Sequence, residues 1–212
     1  MSGELLVAEL KNGSREVQFL NMVHIARPGF YDSVANEVKR AKENGAVLFY
    51  EFIDYETDDT LVLRKAQRIT GFVPSPENYL QMTGKLLKDG VLEVQDNDKF
   101  LHLVNDEDFI VDYTPQRLVK EYEESFGELV LTEEELRLPL DARNPDPEPS
   151  EQADVIVLEH RNRHLAEEVN NSEFDRIVVL YGEAHFPGFL DELQKLDKNW
   201  IKVAERRIEI RD

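Results

Sequence analysis

Two short and almost uninterrupted apolar segments are the feature of this sequence that most limits how the chain can fold. Residues 46–52 are apolar except for Glu51, and residues 176–181 are apolar after an initial arginine. Such segments are typical of strands buried on both faces, which occur in parallel sheets covered by helices. Apolar residues at helical spacing precede the first segment, over residues 30–41, and Pro187 opens a helix after the second. The sequence therefore predicts an α/β fold, with a mixed, mainly parallel sheet flanked by helices.

Antiparallel strands are predicted at both ends of the chain. Asn12-Gly13 separates apolar segments at 4–10 and 15–23, and this dipeptide between two such segments is a strong hairpin signal. Residues 200–210 predict a last strand that is antiparallel or lies at the edge of the sheet.

A short motif occurs twice and predicts duplicated βα units. His24 is followed by Pro28-Gly29-Phe30, and His185 is followed by Pro187-Gly188-Phe189. Each motif comes after a predicted strand and before a predicted helix, so each histidine is expected at the end of a strand.

The length of 212 residues fits a single α/β domain, 1–212, with a mostly helical insertion at about 58–130. The segment 141–150 holds three prolines and predicts an exposed linker. The insertion either covers a site as a lid or forms a homodimer contact. Helices inside it are predicted at 58–70, at 76–88 and from the Thr-Pro pair at 114–115 to about residue 126.

The charge balance excludes several classes of protein. The chain has 44 acidic and 25 basic residues, a net charge of −19, which argues against nucleic acid and anionic membrane surfaces as partners. The absence of cysteine removes disulfides, thiolate nucleophiles and Cys-ligated metals. Without a signal segment or a run of roughly 20 apolar residues, we expect a cytoplasmic protein.

Three predicted strands end in ionisable side chains, His24, Glu51 and His185. Ligands of open α/β sheets bind at the carboxyl ends of the strands, so these groups meet if the strands are parallel neighbours. Two imidazoles and a carboxylate suit a divalent metal with open positions for water, and the same groups can act without metal as a general base. The helix after His185 adds N–H groups that favour an anion.

The helix predicted at 153–170 carries further polar candidates. His160 and His164 have the spacing of zinc-binding histidines, but they fall opposite the apolar stripe, and we expect them to be solvated and not ligands. Arg161 and Asn162 fall on or beside the stripe, where they need partners. Arg161 either pairs with Glu51 or a substrate anion, or anchors the helix in an ion pair. The stripe consists of Val155, Leu158, Leu165, Ala166 and Val169.

Four stretches of the chain together resemble the TraB/PrgY/GumN/Tiki superfamily, which is related to erythromycin esterases and ChaN-like proteins. They are NMVHI at 21–25, LFYE at 48–51, EHRNRHLA at 159–166 and LYGEAHFPG at 180–188. The family has two G-x-x-H motifs, a glutamate at a strand end between them, and an Arg-rich helix before the second motif. The second motif is complete here, whereas Asn21 stands where the first has glycine.

The resemblance implies a mixed α/β fold with a hydrolytic site formed by His24, Glu51 and His185, and with Arg161 beside them. Tiki members are membrane-associated metalloproteases that use manganese or cobalt, and erythromycin esterases are hydrolases thought to use a histidine base without an essential metal. ChaN binds haem, and the PrgY and TraB relatives act in peptide inhibition. We therefore expect a metal-dependent hydrolase of a peptide or ester bond, using Mn, Co or Zn. The alternative is a non-catalytic protein that binds a peptide or haem.

Overall fold

The computed structural model describes residues 3–53, 57, 59–73 and 91–210. The chain forms two compact units. The sheet unit comprises Met1–Glu51, Thr83–Val111 and Asn162–Asp212, and the helical unit comprises Phe52–Met82 and Asp112–Arg161. The helix predicted at 76–88 lies outside the described residues.

The described strands confirm the predicted fold class. A six-stranded sheet has the order β6-β4-β7-β2-β1-β8, and a second, two-stranded sheet pairs β3 with β5. The pairs β6–β4, β4–β7 and β7–β2 are parallel, whereas β1 is antiparallel to both β2 and β8. The strands are β1 (Glu4–Asn12), β2 (Arg15–Met22), β3 (Ile25–Ala26), β4 (Val47–Tyr50), β5 (Glu93–Val94), β6 (Phe109–Ile110), β7 (Arg176–Gly182) and β8 (Ile201–Glu209).

Helices flank the sheet and form most of the helical unit. None of the helices in the described part of the chain is long and apolar enough to cross a membrane. The helices are α1 (Phe30–Glu43), α2 (Thr60–Thr70), α3 (Asp98–Leu101), α4 (Pro115–Phe126), α5 (Glu133–Arg137), α6 (Ser150–Asp154), a π-helical turn (Val155–His160), α7 (Arg161–Asn171), a 3₁₀ turn (Glu183–His185) and α8 (Phe186–Leu196).

The core of the sheet unit forms around β7. Residues 177–181 of this strand are all buried, as predicted for a strand covered on both faces. Trp200, fully buried before β8, donates its indole N–H to Asn170 Oδ1 at 3.2 Å. The predicted hairpin joins β1 to β2 at Gly13, whose φ of 60° glycine adopts without strain.

Two βα units lie side by side, as the repeated motif predicted. Strand β2 leads to α1 and strand β7 leads to α8, and the two strands are parallel neighbours with Met22 beside Gly182. The last strand, β8, is antiparallel and at the sheet edge, which confirms the prediction for residues 200–210.

The helical unit has its own apolar core, formed by residues of α2, α4, the π-helical turn and the connecting loops. Helix α4 begins as the sequence predicted, with the Thr114 hydroxyl accepting from the Arg117 N–H at 3.2 Å and Pro115 in the first turn. The loop at 141–150 is mostly exposed, as predicted, but Asn144 anchors it. The Asn144 backbone N–H donates to the Gly71 carbonyl at 2.8 Å, and the buried side chain donates to Glu135.

The π-helical turn changes which residues of the helix at 150–171 face inward. A π turn bonds i to i+5 and so shifts the following residues around the helix axis relative to a regular α-helix. Leu165, Ala166 and Val169 of the predicted stripe are buried, whereas Val155 and Leu158 are half-buried and Ile156, outside the stripe, is buried. The expectation that His160 and His164 are solvated was wrong, since their side chains are 17% and 15% exposed.

A partly buried ion-pair network stabilises the helical unit. The guanidinium of Arg68 lies between two carboxylates, Glu135 at 2.6 Å and Glu148 at 2.7 Å. Glu148 also accepts from the Tyr122 hydroxyl at 2.6 Å. Burial by itself raises the pKa of Glu135, but hydrogen bonds from Arg68, the Thr132 backbone and Asn144 outweigh it and lower the pKa to about 2.

We expect Glu135 to make the free energy of unfolding depend on pH. Its pKa is lower in the folded protein than in the unfolded chain, so its contribution is complete above about pH 5 and is lost as the pH falls towards 2. The stability advantage of the wild type over Glu135→Gln should shrink by about 2–3 kcal/mol across that range. Urea unfolding at several pH values measures it. Glu133→Gln, at an exposed carboxylate of the same helix, is the control, and parallel curves for the wild type and Glu135→Gln would contradict the assignment.

Candidate functional site

The sheet brings three strand ends to one edge. Strands β4, β7 and β2 are parallel neighbours, with β7 in the middle, which confirms the arrangement expected from the sequence. The chain continues from β4 into Glu51, whose N–H donates to the Leu180 carbonyl at 2.9 Å. It continues from β7 into the 3₁₀ turn that ends at His185, and from β2 towards His24.

Glu51 and His185 meet at this edge. One carboxylate oxygen of Glu51, Oε2, accepts from the Gly182 N–H at 2.6 Å. The other, Oε1, lies 3.9 Å from His185 Nε2. His185 is buried and Glu51 is partly exposed, with side-chain exposures of 5% and 22%. The structure therefore brings together two of the three predicted ligands.

Asn162 contacts His185, a pairing that the sequence did not predict. Its Oδ1 lies 2.8 Å from His185 Nδ1, and both residues are buried. The Tyr181 ring packs edge-on against the imidazole, with the ring centres 4.9 Å apart. The sequence placed this polar residue on the buried face of a helix, where it needs a hydrogen-bond partner. The pattern did not indicate which residue that partner is.

Two glycines make room for these side chains. A Cβ on Gly188 would lie 2.2 Å from Asn162 Nδ2, and a Cβ on Gly182 would lie 3.2 Å from Glu51 Oε2 and 3.5 Å from His185 Cδ2. Both glycines belong to the G-x-x-H-F-P-G stretch, so its spacing has a physical reason: the glycines allow two polar side chains to approach the backbone.

His24 occupies a different environment from His185. It is exposed, and its Nδ1 lies 3.0 Å from Gln95 Oε1. The chain beyond it forms β3, which pairs with β5, whereas the chain beyond β7 turns directly into α8. Within the described residues, no group of three His, Cys, Asp or Glu side chains is placed to hold a metal ion. The three-ligand metal site stays a prediction.

Asn21, which stands where the family that the sequence resembles has glycine, fits its position in β2. Its backbone pairs with Tyr181 in regular register, and its side-chain amide donates to the Leu6 carbonyl at 3.0 Å. The strand conformation at this position accommodates a Cβ, and the amide finds an acceptor on the neighbouring strand.

Arg161 forms a buried ion pair in the helical unit. Its Nε and Nη2 donate to the two oxygens of Asp112 at 2.7 and 2.9 Å, and Nη1 donates to the Val157 carbonyl at 3.2 Å. The side chains of Arg161 and Asp112 are 4% and 0% exposed. This confirms the helix-anchoring alternative, while a role for Arg161 beside the substrate stays a prediction.

Comparisons with protein-family models, with curated proteins and with solved structures find no match to this chain. The resemblance to the TraB/PrgY/GumN/Tiki superfamily therefore stays a prediction carried by the four sequence stretches.

We expect Gly188→Ala to destabilise the protein even though alanine is the better helix residue. In a helix, alanine is favoured over glycine by about 0.5–1 kcal/mol. Here the new Cβ displaces the Asn162 amide and breaks its bond to His185, so a net loss of about 1–3 kcal/mol is expected. Gly182→Ala, with its longer contacts, should cost less. Urea unfolding of both variants measures this, and a Gly188→Ala protein as stable as the wild type would refute the packing argument.

We expect Asp112→Ala to be among the most destabilising changes in the helical unit. It removes the Asp112 carboxylate from the buried guanidinium of Arg161, and breaking a buried pair costs about 3–5 kcal/mol. The control is Glu124→Ala, which breaks an exposed pair with Lys120 and should change the unfolding free energy by less than about 1 kcal/mol. Thermal and urea unfolding compare the two variants. Equal losses of unfolding free energy would show that burial does not determine how much the Asp112 ion pair contributes to stability.

Proposed function

We propose that this protein is a hydrolase of peptide or ester bonds in which Glu51 and His185 activate a water molecule. The observation that supports the proposal is the pair itself. A carboxylate oxygen and an imidazole nitrogen face each other at 3.9 Å, and the other polar atom of each side chain is held by a hydrogen bond.

The separation suits a shared water molecule better than a direct contact. At 3.9 Å, Glu51 Oε1 and His185 Nε2 are beyond hydrogen-bond distance, yet one water can donate an O–H to each. Both protons of that water then point at the protein, and its lone pairs point away. His185 or Glu51 takes one proton as the water oxygen attacks a carbonyl carbon, which is general-base catalysis.

The developing oxyanion has a candidate partner in the first turn of α8. His185 is the residue immediately before this helix, and helix N-termini present N–H groups that stabilise negative charge. The oxyanion role predicted for Arg161 is not needed for this proposal. Its guanidinium forms an ion pair with Asp112 in the helical unit.

A divalent metal at the same pair is the second form of the proposal. Imidazole nitrogen and carboxylate oxygen are common ligands of such ions, and this pair offers one of each. The donor types fit Mn, Co or Zn, and His24 is the predicted third ligand. A bound ion would lower the pKa of its water and polarise the carbonyl. Glu51 and His185 would hold it.

Hydrolysis of a panel of peptides and esters tests the proposal. We expect Glu51→Gln and His185→Ala each to lower the rate by about 100- to 10,000-fold, because each removes a proton acceptor beside the water. His102→Ala, which removes an exposed histidine bonded only to the carbonyl of its own helix in the described contacts, is the control. Full activity in Glu51→Gln or His185→Ala would rule out the pair as the reacting groups.

Calorimetric titration of the stripped protein with Mn²⁺, Co²⁺ and Zn²⁺ separates the two forms. Binding that both variants lose places the metal on this pair, and loss in His24→Ala would add the third ligand. Turnover by stripped protein without added metal supports direct water activation. No turnover and no metal binding, together with a Soret band on haem addition that His185→Ala abolishes, would replace the hydrolase by the haem-binding alternative.

A further inference from the structure

We propose that Asn162 is a positioning residue that keeps the neutral imidazole of His185 in the tautomer with its proton on Nδ1. Nε2 is then a proton acceptor, and it faces Glu51. The inference rests on the proposed function for its catalytic meaning, but the proton position itself is measurable without substrate.

The hydrogen bond between the two residues carries the assignment. An amide oxygen has no proton to give, so at 2.8 Å from Asn162 Oδ1 the imidazole Nδ1 is the donor. A neutral imidazole carries one N–H, so its other nitrogen is unprotonated. That nitrogen is the one 3.9 Å from the Glu51 carboxylate.

The packing around Asn162 holds its amide against the His185 imidazole. The Nδ2 end lies against Gly188, where a Cβ would approach to 2.2 Å. The backbone of Asn162 belongs to α7, and Leu165 and Ala166, one turn further on, are fully buried in the core of the sheet unit. Helix, core and glycine together hold the amide in place, and its oxygen lies 2.8 Å from the imidazole Nδ1.

Asn162 opposes the tautomer that the carboxylate alone would favour. With the proton on Nε2, the N–H of His185 would face the Glu51 carboxylate 3.9 Å away, and Nε2 could not accept a proton from the water. The amide oxygen offers a shorter and fully buried acceptor on the opposite side of the ring. We therefore expect removal of Asn162 to move the proton from Nδ1 to Nε2.

Nitrogen NMR of protein labelled with ¹⁵N-histidine tests the inference, at a pH well above the ordinary imidazole pKa of about 6.5. The wild-type His185 should show a protonated Nδ1 and an unprotonated Nε2. Asn162→Ala should shift the proton to Nε2, whereas Asn162→Asp, which keeps an acceptor, should retain it on Nδ1. Gln95→Ala is the matched control, because it removes the amide beside His24 Nδ1 and should leave the His185 signals unchanged.

The wild-type spectrum already decides the main point, so the inference does not depend on a variant that folds poorly. A His185 with its proton on Nε2 would overturn it, as would an Asn162→Ala spectrum identical to the wild type. Gly188→Ala is the second variant, since it displaces the same amide without altering Asn162, and it should shift the proton as Asn162→Ala does.

Activity then connects the proton position to the proposed reaction. We expect Asn162→Ala to lower kcat about 10- to 100-fold, as removal of a residue that orients an active-site histidine does, and Asn162→Asp to recover part of the loss. A tautomer that responds as expected in a protein that hydrolyses none of the panel would support the positioning role and overturn the hydrolase. Hydrolysis that needs His185 but is unchanged in Asn162→Ala, with an unchanged tautomer, would support the hydrolase and overturn the positioning role.

Discussion

The backbone pairing of β7 with β4 and β2 is the constraint on which the site depends. Because β7 is hydrogen-bonded to a parallel strand on each side, all three strands end at the same edge, and the residues that follow must share that space. The buried residues 177–181 fix the register of β7, since a slip of one residue would turn its side chains to the wrong faces. The 3.9 Å between Glu51 and His185 follows from that register together with the turn after β7.

Burial of polar groups at this edge is possible because each has a specific acceptor or donor. His185 meets Asn162, Glu51 meets the Gly182 N–H, and the glycines at 182 and 188 remove the Cβ atoms that would separate them. A polar group buried without such a partner costs several kcal/mol. The polar side chains of the site and the two glycines therefore depend on each other. A short stretch of sequence therefore supports both the turn and the candidate chemistry.

Much of this could be read from the chain alone. The apolar runs at 46–52 and 176–181 predicted the central strands, Asn12-Gly13 predicted the hairpin, and the acids and imidazoles at strand ends predicted where Glu51 and His185 meet. These predictions succeeded because strand burial and turn geometry are local properties that leave a pattern in the sequence. The inward polarity of Asn162 was also visible, although its partner was not.

Other features were decided by tertiary structure. His24 and His185 occupy the same position in the repeated motif, so the sequence predicts the same environment for both. In the structure β3 pairs with β5, and His24 is exposed beside Gln95. The π-helical turn at Val155–His160 shifts the following residues around the helix axis, which a period of 3.6 residues does not predict. Arg161 forms an ion pair with Asp112, which is 49 residues away in the sequence. The sequence by itself determined which segments are strands and helices and which strand ends carry reactive groups. Only the fold decided which of those groups meet, because pairings between distant residues depend on the packing of whole elements, for which no local pattern exists.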